Sequence, residues 1–142
     1  MTRLVLLLLA ACEGGRSPDP MPIELVNDGT ACLRGSAPFA FAADEPVQIQ
    51  VDWDGICLSS TCTSDRMASC SVTLTGQTVT IQTRASWTDA SASGIACSDD
   101  CGVLIARCDS PALAAGDYTF QLGPRTIAIT VPSTTQSTPC IR

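Results

Sequence analysis

Nine cysteines punctuate this chain of 142 residues, and they constrain its folding more than any other feature. Eight of them run from Cys32 to Cys140. Cys57, Cys62 and Cys70 form one group, Cys97, Cys101 and Cys108 another, and Cys32 and Cys140 stand alone near the ends. Paired thiols persist in oxidising compartments, so a framework of bridges implies export. Eight cysteines admit on the order of a hundred connectivities, and sequence alone does not choose among them. A group of three cannot pair wholly within itself. One simple arrangement has a local bridge in each group, one bridge between the groups, and a Cys32–Cys140 bridge joining the ends. The rival reading is a thiolate metal site. Cys57-x4-Cys62 and Cys97-x3-Cys101 are loosely spaced for zinc, whose ligands usually come as tighter pairs with more Cys or His. The chain has no His. Disulfides are therefore expected at Cys32, Cys57, Cys62, Cys70, Cys97, Cys101, Cys108 and Cys140, with no metal and no cofactor.

The ninth cysteine, Cys12, has a different setting. Met1-Thr2-Arg3 carries one positive charge, and Leu4 to Ala11 is an unbroken apolar run. A membrane-spanning helix needs about twenty such residues. A charged start before a short apolar core is the build of a secretory signal. The run closes on Leu9-Ala10-Ala11-Cys12, which resembles the lipobox of bacterial lipoproteins. That resemblance implies a diacylglyceryl group on the Cys12 sulfur, cleavage just before it and an acylated amine. Several chains anchor a protein stably where one does so only marginally. Lipidation of Cys12 would also leave an even number of cysteines to pair. Without the motif, the same start reads as an ordinary secretory signal ahead of a coincidental cysteine. On the lipoprotein reading, residues 1–11 are the signal peptide and 12–22, rich in Gly and Pro, are the lipidated cysteine and tether. Residues 23–142 are the folded domain. Glu13, not Asp, follows Cys12, and the family's sorting pattern then implies the outer membrane.

The domain alternates with period two, as half-buried strands do. Val47, Ile49, Val51 and Trp53 share one face, and Gln48, Gln50, Asp52 and Asp54 share the other. Ser71–Thr75 and Thr78–Gln82 read as a hairpin through Gly76. Val103–Ala106 reads as a short buried strand. Tyr118, Phe120 and Leu122 alternate with polar neighbours, Gly123-Pro124 turns the chain, and Ile127, Ile129 and Val131 alternate again before Pro132. Ile23–Val26 and Phe39–Phe41 read as edge strands. Leu113-Ala-Ala-Gly116-Asp-Tyr118 resembles the Leu-x-x-Gly-x-Tyr signature of immunoglobulin-like and fibronectin-like domains. It implies a tyrosine corner, in which the Tyr hydroxyl bonds back to the backbone. The spacing of Cys and Trp does not follow the immunoglobulin pattern. The expectation is an all-β fold: a disulfide-stapled antiparallel β-sandwich, Ig-like in outline, of about seven or eight strands.

The chemistry is sparse. All eight basic residues are Arg, so neither a Ser-His-Asp relay nor a Schiff-base lysine is available. Removal of residues 1–11 leaves seven Arg against fourteen acids, a net charge near −7, which phosphates would repel. No nucleic-acid partner is expected. Asp52 and Asp54 flank Trp53, and Asp99-Asp100 lie between two cysteines. Paired acids could serve a glycosidase, although so small a domain offers little cleft. Asp52-x-Asp54-Gly55 resembles the start of a calcium loop, yet Thr63 stands where its twelfth-position Glu belongs. Asp52, Asp54, Asp99 and Asp100 are thus weak calcium candidates. Trp53 and Trp87 could form an exposed aromatic platform, but the parity of each with Val and Ile neighbours places both in the core. The sequence points to a non-enzymatic, lipid-anchored module of the cell envelope, structural or bound to an envelope protein. The alternative is a periplasmic ligand or metal binder using the Cys-rich or acidic loops.

Overall fold

The structure is a computed structural model that describes residues 18–37 and 39–142. The stretch read as a signal peptide, together with Cys12, lies outside the described residues. Among these residues the fold is all-β, with eleven strands and one short 3-10 turn at Ser91–Ser93. Eight strands have five or more residues: β1 (Met21–Val26), β2 (Thr30–Arg34), β4 (Gln48–Asp52), β5 (Thr63–Thr75), β6 (Thr78–Asp89), β7 (Ile105–Asp109), β8 (Gly116–Leu122) and β9 (Arg125–Val131). Three have two residues: β3 (Ala40–Phe41), β10 (Ser133–Thr134) and β11 (Cys140–Ile141). β1 opens at Met21, so the last two residues of the stretch read as tether already belong to the domain.

Two sheets face each other across the core. β6 organises the larger one. Along one side it pairs with β5 through the hairpin at Gly76, whose φ of 59° suits glycine. Its other side is shared. β1 runs antiparallel to Arg84–Asp89, and β8 runs parallel to Thr78–Ile81. The parallel pair corrects the expectation of a wholly antiparallel fold. The changeover falls at Thr83. Asn27 turns into the left-handed region at φ 52°, and its N–H donates to the Thr83 carbonyl at 2.8 Å. The Thr83 amide donates to Asn27 Oδ1 at 3.3 Å, and its hydroxyl to the Asp28 carbonyl at 2.8 Å. Asn tolerates that backbone and bonds locally, so β1 ends there and β8 takes up the edge of β6. β9 completes this sheet beside β8. The smaller sheet has the order β11-β2-β4-β7, all antiparallel, and β3 with β10 forms a separate ribbon.

The alternation on the chain becomes the core. Val47, Ile49, Val51 and Trp53 are buried from the smaller sheet, and Val79, Ile81, Ala85, Trp87, Phe120 and Leu122 from the larger. Burial of each large side chain contributes roughly 1.5–3 kcal/mol. Residues Val103–Ala106 differ from expectation. Val103 and Ile105 are exposed while Leu104 and Ala106 are buried, so the run alternates and is not wholly buried.

Tyr118 behaves as the Leu-x-x-Gly-x-Tyr pattern implies. Its ring is buried and its hydroxyl donates to the Ala114 carbonyl, four residues back, at 3.1 Å. Ala114 is exposed, so water can replace the lost donor, and Tyr118→Phe should cost only about 0.5–1.5 kcal/mol. Thermal melts of the two proteins check this. An unchanged midpoint would mean that the bond does not hold the corner.

Candidate functional site

The cysteine groups define the most elaborate surface feature. The bridges are Cys32–Cys140, Cys57–Cys101, Cys62–Cys97 and Cys70–Cys108. The end-to-end bridge is as expected. The local bridges are not: all three others join one group to the other. The reason is topological. Cys70 lies on β5 and Cys108 on β7, at neighbouring edges of opposed sheets, while the other four staple the loop after β4 to the loop before β7. Members of one group face their partners across the fold rather than each other.

The stapled loops also share a ladder contact, Leu58 with Gly102, whose amides and carbonyls exchange bonds at 3.3 and 3.0 Å. A Cβ at Gly102 would lie 2.6 Å from the Arg66 guanidinium, so a larger residue there would have to displace that side chain. That guanidinium donates to the Leu58 and Ser59 carbonyls at 3.0 and 2.7 Å and, through Nε, to Thr63 Oγ1 at 2.9 Å. Arg66 thus ties the start of β5 to the loop.

Beside it lies a cluster of hydroxyls. Ser98 Oγ sits 2.9 Å from Ser59 Oγ, 3.2 Å from Ser60 Oγ and 3.3 Å from Thr61 Oγ1, and it donates to the Asp100 carboxylate. Asp100 also accepts the Ser60 amide at 3.2 Å. The Ser98 hydroxyl, aided by the Ser60 amide, holds the Asp100 carboxyl below the usual carboxylate range. A carboxylate so stabilised is a poorer base than a free one. Asp89, on β6, is lowered in the same way by the Ser91 amide, 2.8 Å away. The sequence reading singled out Asp100 but missed Ser98 and Arg66. The signal available was the run of Ser and Thr packed around Cys57–Cys62 and Cys97–Cys101.

A pH dependence follows from Asp100. A carboxylate lowered in the folded state stabilises the contact above its ordinary pKa, and that stabilisation is lost as pH falls through the folded value. Exchange protection of the Ser60 amide should therefore hold through neutral and mildly acidic pH and vanish only below the ordinary carboxylate range. Loss of protection near neutrality would show that Asp100 does not hold that amide.

The other candidate acids are dispersed. Asp52 takes both its bonds from its neighbour Gln50, at 3.1 Å each, and Asp54 and Asp99 are exposed. Among the described residues, no three His, Cys, Asp or Glu side chains are placed to hold a metal ion together. The four acids Asp52, Asp54, Asp99 and Asp100 are therefore not brought together, and the Thr63 hydroxyl donates to the Ser59 carbonyl at 2.6 Å. No family model matches the chain, and no curated protein or solved structure matches it. Among the described residues no helix is long and apolar enough to cross a membrane.

Trp53 and Trp87 are core residues, 3% and 7% exposed, not a platform. Their edges do border a surface recess of about 440 Å³, together with Asp28, Gly29, Asp54 and Arg125. Arg125 lies 3.6 Å from the Asp28 carboxylate, and the buried Trp53 Nε1 has no hydrogen-bond partner among the described residues.

Proposed function

We propose that the chain is a lipid-anchored, non-enzymatic module of a bacterial cell envelope, carrying an Ig-like sandwich that is structural or binds another envelope protein. One observation carries this reading. The four bridges consume Cys32 to Cys140 in full, so of nine cysteines only Cys12, the one in the Leu9–Cys12 motif, has no partner to take within the chain. Four bridges fit an exported protein, and a lone cysteine in the lipobox position fits an acylated one. The Glu13 that follows it favours the outer membrane. The Tyr118 bond to Ala114 favours the Ig-like reading of the sandwich. The absence of His and Lys from the chain, with a lowered Asp100, leaves acid–base catalysis poorly supplied.

Cys12→Ser tests the anchor. The native chain should fractionate with membranes and incorporate a palmitate analogue, and the variant should do neither. A variant that stays membrane-bound, beside a native chain that takes no label, would sink the reading. Ligand binding is a second reading, favoured by the unpaired Trp53 Nε1 beside the Trp53–Trp87 recess. A ligand bound there stabilises the fold by mass action, so a thermal-shift screen of small polar molecules tests it.

A further inference from the structure

The longest strand of the fold is half used. β5 has thirteen residues and, among the described residues, pairs only with β6, so one whole side of its backbone meets no described strand. Its inner row shows the same incompleteness. Ala68, Cys70, Val72 and Leu74 are only partly buried, whereas the inner row of β6 beside them, Val79, Ile81, Ala85 and Trp87, is sealed. An unpaired edge is a template for another strand, and proteins usually blunt it with charge, proline or a bulge. β5 is guarded only at its start. There the register slips between Ser64 and Met67, Asp65 adopts a φ of 52°, and Arg66 supplies a charge. From Met67 to Thr75 there is no charge, no proline and no glycine. The opposite edge, β9, is shorter, opens on Arg125 and runs into Pro132.

We propose that β5 is a self-pairing edge, on which a second copy of this chain adds its own β5 antiparallel across a two-fold axis. The residues decide for a second copy over an unrelated strand. A strand that fits must be uncharged, carry hydroxyls on the outer row and small or branched apolar groups on the inner row. Ala68–Thr75 is such a strand: Ser69, Ser71, Thr73 and Thr75 lie outward, and Ala68, Cys70, Val72 and Leu74 inward. Pairing with itself sets hydroxyl beside hydroxyl and apolar group beside apolar group, the cross-strand pairs that stabilise sheets. No like charges oppose each other within the segment. A two-fold contact of this kind is closed, so it yields a dimer and not a fibre. The two five-stranded sheets become one, and the half-covered inner rows cover each other.

Sedimentation of the full chain in a density-matched detergent, over a concentration series, tests this. The native protein should reach twice the chain mass, with β5 amides gaining hydrogen-exchange protection as the dimer forms. Ser71→Lys combined with Thr73→Lys places like charges across the axis, and the dissociation constant should rise roughly tenfold or more. Neither residue is buried, so circular dichroism should show the variant folded. A chain that stays monomeric throughout overturns the proposal. So does a dimer whose β5 amides gain no protection, a readout that needs no variant. A monomer whose β5 amides become protected only in envelope extract also overturns it, and assigns the edge to a different protein.

Discussion

Replacing both Cys32 and Cys140 by Ala is expected to lower the melting temperature by roughly 15–25 °C without changing the fold at low temperature. The bridge spans 108 residues, the longest loop closed in the chain. In the chain-entropy account a loop of that length restricts the unfolded state by about 5 kcal/mol, against about 4 kcal/mol for the 35-residue span of Cys62–Cys97. A domain of this size is stable by about 6–18 kcal/mol, so the loss is a large fraction of the whole. The native side adds to it. β11 has two residues and is held on β2 by two register pairs, Cys140 with Cys32 and Ile141 with Ala31. Ile141 is buried, and without the bridge the end of the chain is free to fray and expose it. Ala at both positions avoids a free thiol that could exchange with the other bridges. Differential scanning calorimetry under non-reducing conditions reads the result. A fall of less than about 5 °C would show that the unfolded state is already restricted by the three bridges between the groups.

That bridge was legible in the sequence because its two cysteines sit at opposite ends, where terminal strands come together. The others were not, because grouping along the chain says nothing of which sheet edge each group reaches. Cys70 lies within a strand, yet its flank Ser64-Asp-Arg-Met-Ala-Ser shows no clear alternation. The structure explains why. β5 is an edge strand with its outer row in water and its inner row only half covered, so little selects for apolar residues there. Strands flanked by others on both sides behaved differently. In β4 and β8 the alternation of Val, Ile, Tyr and Phe with polar residues gave the buried face residue by residue. The parallel pairing of β6 and β8 left no mark at all, because it depends on where Asn27 hands over the edge of β6, a matter of a single turn. For the candidate site, the stapled loops were visible as clusters of Cys, Ser and Thr. The hydroxyl set centred on Ser98 was hidden, because it draws on residues nearly forty positions apart.

Phe120→Ala should be the most damaging single substitution in β8, at about 3–5 kcal/mol. Phe120 is fully buried on β8, between Val79 of β6 on one side and Ile127 of β9 on the other. With only three Phe, two Trp and one Tyr in the whole chain, no other aromatic lies on that strand except Tyr118. The cavity is therefore lined by strands fixed in their ladders, which collapse poorly around a missing ring, and the cost should fall in the upper part of the range. Thr119→Ala is the matched control. Thr119 is the next residue on the same strand, is exposed, and points to the opposite face. Its loss should change stability by no more than about 0.5 kcal/mol. Urea titrations of the two variants measure both, with equal slopes required so that the midpoints compare directly. The contrast tests the period of the strand as well as the packing. If the two costs are similar, β8 does not alternate between core and water, and the parallel register that sets Phe120 against Val79 is wrong.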